Sequence, residues 1–176
     1  MRPTKPGGRP QARKALAPSA FMKAGAQAGL QAQPGKVAIA NRYRGSISTQ
    51  DQTTCFTGSI DMDAAYLQAE PASHRWDYGL GVQVQGKKEF AVWVEPHPAS
   101  STGEVKKVLA KLDWLQAKLK QGDFKLLKVL TDECVRQGHT PYHWMASAHV
   151  AIRPGSREFN MLSVRGVSLT ANRVTI

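Results

Sequence analysis

The clearest hydrophobic pattern of the chain lies in residues 76–97, WDYGLGVQVQGKKEFAVWVEPH. Apolar side chains occupy every second position on both sides of a short turn, Gly86-Lys87-Lys88. They are Tyr78, Leu80, Val82, Phe90, Val92 and Val94. A period of two that is interrupted by a polar turn predicts a β-hairpin whose even-numbered residues face the core.

The hydrophobic period changes from strand to helix in residues 98–122. One apolar stripe with a period of 3.6 residues contains Val105, Val108, Leu109, Leu112, Leu115 and Leu119. Ser101 and Glu104 have the spacing of a capping box, and Gly122 suits the residue after the helix. The lysines of this segment, at positions 106, 107, 111, 118 and 120, are interpreted as a solvated helix face, with contact to a nucleic-acid backbone as the alternative.

Weaker patterns predict the remaining elements. Ser59 or Asp61 can cap a short helix over residues 62–69, which Pro71 closes. Residues 123–138 are predicted as a second helix, residues 143–152 and 157–166 as a strand pair, and residues 167–171 as a last short strand. The predicted fold class is mixed α/β (α+β): short helix, hairpin, long amphipathic helix, second helix and C-terminal strand pair, with one sheet packed by helices.

The positive charge of the chain is concentrated at its beginning. The formal net charge is +11, and residues 1–50 contain no acidic residue. Their basic residues are Arg2, Lys5, Arg9, Arg13, Lys14, Lys23, Lys36, Arg42 and Arg44. Residues 1–35 are rich in Pro, Gly, Ala and Gln, so we predict a basic disordered arm over 1–35 and a single mixed α/β domain over 36–176.

A flexible cationic arm is suited to binding phosphates. The residues that we predict to contact nucleic acid are Arg2, Lys5, Arg9, Arg13, Lys14 and Lys23. Such an arm would bind DNA or RNA with little sequence preference and with a strong dependence on salt. Two other interpretations stay open, a solubilising tail without a partner and a transit peptide, although the Pro and Gly content argues against the helix that transit peptides form.

Cysteine content and hydropathy narrow the cellular setting. Two cysteines, Cys55 and Cys134, are too few for a disulfide framework, which favours a reducing compartment such as the cytoplasm. No stretch of 18 uninterrupted apolar residues occurs, so we expect no membrane span.

Two acidic residues mark the open end of the predicted hairpin. The register that pairs Tyr78 with Val94 also places Asp77 opposite Glu95, on the face that carries Gly79 and Trp93. Directly opposed side chains have Cβ atoms about 4.5–5.5 Å apart, and like charges so placed destabilise a hairpin. A cation between them, or a proton held by one carboxyl, removes that repulsion.

Paired carboxylates with a neighbouring imidazole suit a hard divalent cation. His97 points to the same side as Glu95 if the strand continues, so Asp77 and Glu95 are candidate ligands of Mg²⁺ or Mn²⁺, with His97 assisting. Such an ion can supply hydroxide and stabilise a pentavalent phosphate. We expect a functional pair to lie close together, open to solvent, and not paired with Lys or Arg.

The order of these elements resembles the core of the PD-(D/E)XK, or restriction-endonuclease-like, nuclease superfamily. The similarity covers residues 58–120: a helix, a strand carrying Asp77, a strand ending in Val94-Glu95-Pro96-His97, and a long helix. The resemblance implies that Asp77 and Glu95 bind the metal and that His97 stands where a water-activating lysine is expected. Asp61 or Asp63 could supply the further acid that some members have.

The departures from the family pattern keep three classes of function open. Pro96 lies inside the motif and histidine replaces lysine, although histidine can also act as a general base or a ligand. The first interpretation is a metal-dependent nuclease with Asp77, Glu95 and His97 as catalytic residues. The others are a nucleic-acid-binding domain without catalysis and a protein-interaction module with a degenerate nuclease-like fold.

Overall fold

The structure is a computed structural model and describes residues 17–176. The helices are α1 (Ala20–Gln27), α2 (Asn41–Arg44), α3 (Met62–Tyr66), α4 (Gly103–Leu119), α5 (Lys125–Arg136) and α6 (Arg157–Val164), with a 3₁₀ turn at Gly122–Phe124. The strands are β1 (Ile47–Ser48), β2 (Thr54–Asp61), β3 (Tyr78–Val84), β4 (Phe90–His97), β5 (Tyr142–Ala146), β6 (Val167–Ala171) and β7 (Val174–Thr175). The fold is mixed α/β, as the sequence predicts.

A five-stranded sheet in the order β2-β3-β4-β5-β6 organises these elements. β2, β3 and β4 form an antiparallel meander, whereas β5 and β6 continue the sheet parallel to β4. Parallel neighbours need a crossover connection. The chain uses α4 and α5 to cross from β4 to β5, and α6 to cross from β5 to β6.

The predicted hairpin register is confirmed. Tyr78 pairs with Val94, Leu80 with Val92, and Val82 with Phe90. All six side chains are buried in one cluster with Ile39, Ile47, Val174 and Ile176. The short strands β1 and β7 pair in parallel beside this face of the sheet. The period of two therefore identifies one core face correctly.

The opposite face of the hairpin is also a core, which the sequence interpretation missed. Trp93 and Ala91 are buried there with α1, α4 and α5. The indole N–H of Trp93 donates to the hydroxyl of Thr131 on α5, 3.0 Å away. The expected open face is therefore covered by helices, and Glu95 emerges beneath α4 rather than into solvent.

Two glycines make room for this second core. A Cβ on Gly79 would lie 2.7 Å from the ring of Trp93, and a Cβ on Gly81 would lie 2.5 Å from Phe21. The space above Gly79 and Gly81 is thus filled by Trp93 and by α1. An alanine at either position would force these aromatic rings to move.

The prediction of a disordered arm over residues 1–35 is wrong for residues 19–35. Ser19 caps α1 by accepting from the N–H of Met22, and Phe21 is fully buried. The carboxylate of Glu89 accepts from the N–H groups of Ala20 and Phe21, at 2.8 and 3.1 Å. The segment is ordered because one phenylalanine and small residues pack against β2 and β3, so the domain begins before residue 36.

We expect Phe21→Ala to lower the free energy of unfolding by about 3–5 kcal/mol, as truncation of a buried aromatic ring does. Urea denaturation measures this change. Leu67→Ala is the matched control, because Leu67 is half exposed and its truncation is expected to cost no more than about 0.5 kcal/mol. Equal midpoints for Phe21→Ala and the wild type would mean that α1 does not pack on the sheet.

The helices of the central region agree with the sequence, apart from both ends of α4. α4 ends at Leu119 with Lys120 as its C-cap, so Gly122 is not the residue after the helix but begins the 3₁₀ turn. Asp61 caps α3 by accepting from the N–H of Ala64, at 2.8 Å. α4 and α5 lie within their predicted ranges of 98–122 and 123–138. The predicted capping box is wrong, since α4 begins after Thr102 without a side-chain cap, and Glu104 bonds elsewhere.

The C-terminal strand pair is wrong in its second member. Residues 143–152 contribute to β5, but residues 157–164 form α6, which Ser156 caps through the N–H of Phe159. The predicted last strand, 167–171, is β6 and lies beside β5. Two parallel strands cannot be joined by a tight turn, so the chain between them folds as a helix.

His143 provides a pH-dependent contribution to stability. It is buried on β5, and burial lowers the pKa of its imidazole to about 4, while its hydrogen bond to the carbonyl of Thr140 acts the other way. The folded state therefore favours the neutral ring. Because the pKa is lower in the folded than in the unfolded state, this stability is complete above about pH 6.5 and is lost as the pH falls toward 4.

We expect the wild type to lose roughly 3 kcal/mol through His143 between these pH values, at about 1.36 kcal/mol per pKa unit. His143→Gln should remove this part of the acid dependence, while His149→Gln, at an exposed position, should retain it. Urea denaturation at several pH values measures both. An unchanged acid dependence in His143→Gln would contradict the buried neutral imidazole.

No helix within residues 17–176 is long and apolar enough to cross a bilayer. Cys55 is exposed and Cys134 is buried, and neither forms a disulfide.

Candidate functional site

The candidate site lies at the edge of the sheet where β2 and β4 end and β3 begins. The antiparallel meander brings Asp61, Asp77 and Glu95 to this edge, because β2 and β4 run in one direction and β3 in the other. α4 then passes over Glu95. The sequence predicted two of these acids as neighbours, and the third acid and the helix complete the surroundings.

Asp77 and Glu95 are adjacent and share one lysine. The backbone N–H of Asp77 donates to Oε2 of Glu95 at 3.0 Å. The ammonium of Lys111, on α4, lies 3.0 Å from Oδ1 of Asp77 and also donates to Oε1 of Glu95. A cation therefore stands between the two carboxylates, as the predicted repulsion required, but it belongs to the protein.

The two carboxylates differ in their access to solvent. The side chain of Glu95 is 0% exposed, whereas those of Asp77 and Lys111 are 23% and 18% exposed. Burial, and after it the charge of Asp77, raise the pKa of Glu95 well above its ordinary value, against the opposing effect of Lys111. The ionised form of Glu95 thus depends on positive charge beside it.

Lys111 remains a cation in these surroundings. Burial alone would lower the pKa of its ammonium, but the charges of Glu95 and Asp77 and the hydrogen bonds to them outweigh burial and raise that pKa. One ammonium between two carboxylates leaves the cluster with one negative charge in excess when both are ionised. A further cation, or a proton, would complete its neutralisation.

His97 extends the site along α4. Its Nδ1 lies 3.8 Å from Oε1 of Glu95, and its Nε2 lies 2.6 Å from Oε2 of Glu104. Lys107 pairs with the other oxygen of Glu104 at 2.9 Å. Glu104 therefore orients the imidazole instead of closing a capping box, and His97 points to the side of Glu95 as predicted.

Asp61 and Asp63 do not join Asp77 and Glu95 around a common point. Asp61 is engaged in capping α3, and burial, with smaller contributions from the charges of Asp63 and Asp77, raises the pKa of its carboxyl. Asp63 pairs with Arg75 at 2.9 Å. The extra acid that the family resemblance implied is accordingly used in local structure.

Lys111 is the site residue that sequence analysis missed. We had placed it on the solvated face of α4, together with Lys118. A signal was present, however: Glu104, Lys111 and Lys118 repeat at intervals of seven residues, which places them on one side of a helix. Each of these three residues contacts a charged or titratable side chain. The partner lies either at the edge of the sheet that carries the site or in the segment between α3 and β3.

Lys118 forms a lysine–carboxylate pair that stabilises the fold outside the candidate site. Its ammonium pairs with Glu70 and lies 4.0 Å from the ring centre of Tyr66. The indole N–H of Trp114 donates to the other oxygen of Glu70 at 2.6 Å. Here one lysine meets one carboxylate, so the charges balance, unlike the charges around Lys111.

Most of the predicted arm contacts fall outside the described residues. Arg2, Lys5, Arg9, Arg13 and Lys14 belong to residues 1–16, which the structure does not describe. Lys23 lies on α1 and is exposed. Its exposure leaves its ammonium accessible to a partner from solvent.

Asp77 and Glu95 supply the number of carboxylates that a Mg²⁺ site commonly has. Within residues 17–176 no group of three His, Cys, Asp or Glu side chains is arranged to hold a metal. Mg²⁺ is commonly held by only one or two carboxylates together with water and substrate phosphates, and Asp77 and Glu95 supply two. When both are ionised, their excess negative charge favours an additional cation.

No protein-family model, curated protein or solved structure matches this chain.

Proposed function

We propose that the protein is a metal-dependent phosphodiesterase and, more specifically, a nuclease that acts on DNA or RNA. The observation that carries this proposal is the cluster of Asp77, Glu95 and Lys111 at the edge of the sheet. Two carboxylates and one lysine are the residue types that the nuclease resemblance implies. Lys111 supplies the lysine from α4, so His97 is not needed in that role.

The chain's own residues have distinct parts in this proposal. Asp77, which is partly exposed, and Glu95, which is buried, would hold the cation. Mg²⁺ or Mn²⁺, when bound, lowers the pKa of water and stabilises charge on phosphate. The ammonium of Lys111 donates to both carboxylates, and its positive charge at the site would stabilise negative charge on a substrate phosphate in the transition state.

His97 is positioned to move a proton. Its Nε2 is held by Glu104 and its Nδ1 faces Glu95, so the ring has a fixed orientation beside the carboxylate. An imidazole held in this way is suited to general acid–base catalysis. In this proposal His97 assists and Asp77 and Glu95 bind the cation.

The experiment that tests the proposal is a cleavage assay with the full chain. Single-stranded DNA, duplex DNA and RNA are incubated with Mg²⁺ or Mn²⁺, and with EDTA as a parallel sample. We expect cleavage of at least one substrate that requires the metal. Intact substrates under every condition would contradict the proposal.

A specific observation favours a second candidate, a nucleic-acid-binding domain without catalysis. Lys111 already contacts both carboxylates, and we expected a pairing of this kind to count against a metal site. In this second proposal the ion pairs stabilise α4 on the sheet, and binding relies on basic surfaces. Nucleic-acid binding without metal-dependent cleavage would select it.

A further inference from the structure

A groove between α4 and α6 opens on the side of α4 opposite to Lys111. Two adjoining cavities of about 300 and 580 Å³ form it, and Arg157 and Met161 line both. Lys106 lines the first cavity, and Leu109 and Arg165 line the second. We call this feature the α4–α6 groove.

The groove carries a net positive charge. Glu158 is the single acidic residue among the side chains that line it, against Lys106, Arg157 and Arg165. Arg165 pairs with Asp113 at the surface. Lys106 and Arg157 are exposed and have no acidic partner within residues 17–176, so their charges are available to a ligand.

The groove and the candidate site lie at the same end of the sheet, on opposite sides of α4. β4 and β5 are parallel, so α4 and the segment leading to α6 both begin at the edge that carries Glu95. The N–H of Ala151 donates to the carbonyl of Ala99 at 2.8 Å, which holds the two segments together. Lys106 lies two residues after Glu104, whose carboxylate contacts His97, so a strand that contacts both must pass over the first turn of α4.

We propose that the α4–α6 groove binds the phosphate backbone of the nucleic-acid strand that the site would cleave, with Lys106 and Arg157 as the principal contacts. The choice of partner rests on the proposed function. Unpaired cations at the same end of the sheet as a phosphodiesterase site would hold a polyanion in place, and the net charge of +11 favours its approach. Contacts of this type position the strand and carry little sequence information.

The test measures binding without cleavage. The full chain is titrated in EDTA against labelled single-stranded and duplex oligonucleotides, with fluorescence anisotropy over a series of salt concentrations. We compare Lys106→Ala/Arg157→Ala with the wild type. The matched control is Lys120→Ala/Lys125→Ala, which removes the same charge from exposed positions at the other end of α4.

We expect Lys106→Ala/Arg157→Ala to weaken binding by about tenfold or more at low salt, and to reduce the slope of log affinity against log salt by about 2, roughly one per phosphate contact. The control should stay near the wild type. Equal affinities and slopes for the wild type and Lys106→Ala/Arg157→Ala, or equal losses in both double variants, would overturn the inference. So would weakened binding to poly-glutamate with unchanged oligonucleotide binding, which would indicate an acidic protein partner.

A second measurement needs no variant. Lysine acetylation of the full chain, read by mass spectrometry, should be slower at Lys106 when an oligonucleotide is bound and unchanged at Lys120. Equal acetylation of Lys106 with and without the oligonucleotide would overturn the inference. Failure of cleavage with intact binding through the groove would reject the nuclease alone, whereas cleavage unaffected by Lys106→Ala/Arg157→Ala would reject the groove alone.

Discussion

Asp77→Asn is expected to reduce metal-dependent cleavage by at least about 100-fold, the range that follows loss of one electrostatic contact in a transition state. The substitution keeps the size of the side chain and removes its charge. Asp77 is the more exposed carboxylate of the pair, and its substitution would remove one of the two charged ligands of the cation. Cleavage rates at saturating Mg²⁺ and Mn²⁺ measure the effect.

The matched control for this prediction is Asp132→Asn. Asp132 is an exposed acid on α5 that pairs with Lys128, and it lines neither the candidate site nor the α4–α6 groove. Its cleavage rate should equal that of the wild type. Equal rates for Asp77→Asn and Asp132→Asn would remove Asp77 from the catalytic residues, and thermal unfolding of both variants checks that each remains folded.

Lys111→Met is expected to lower the free energy of unfolding by about 3 kcal/mol or more, because it leaves Glu95 buried without its cation. Methionine retains much of the aliphatic volume of lysine. Lys118→Met is the matched control, since Lys118 occupies the same side of α4 but its partner Glu70 is partly exposed. We expect the loss at Lys118 to be clearly smaller.

A second substitution separates charge from packing. Glu95→Gln in the Lys111→Met background removes the uncompensated acid and should recover a substantial part of the lost stability. Replacing both partners of a buried ion pair by uncharged residues often changes the free energy of unfolding very little. Urea denaturation of the single and double variants measures the coupling. Additive losses would contradict a direct interaction between Glu95 and Lys111.

The hairpin could be predicted because a single periodicity fixes several features at once. A shift of one residue would turn every core side chain of β3 and β4 to the other face, so Tyr78 and Val94 could pair in one way only. The adjacency of Asp77 and Glu95 follows from that register. The cap of α3 by Asp61 could also be predicted, since it depends on local chemistry.

The features that the sequence did not predict depend on contacts between residues that are distant in sequence. α1 lies in a segment whose composition indicates disorder, and its order depends on Phe21 meeting the bare backbone at Gly81. α6 resembles a strand locally, and its helical state follows from the parallel pairing of β5 and β6. The burial of Trp93 and Glu95 could not be predicted because it depends on where α4 and α5 pack on the sheet.

Lys111 is the most instructive omission. Five lysines on α4 and just beyond it look alike along the sequence, and all five were interpreted as a solvated helix face. The distinction among them is geometric: Lys111 and Lys118 lie on the row of α4 that meets the acids. The seven-residue spacing of that row is visible in the sequence, but its acidic partners are not, because they come from other elements.

Whether Asp77 and Glu95 form a metal site is tested by Mn²⁺ binding to the full chain. Binding is measured by electron paramagnetic resonance and compared with that of Asp77→Asn. It requires no knowledge of the substrate. We expect the wild type to bind one Mn²⁺ per chain at Asp77 and Glu95, and Asp77→Asn to lose this binding. Mn²⁺ that remains free in the presence of the wild type, or that binds equally to Asp77→Asn, would contradict it.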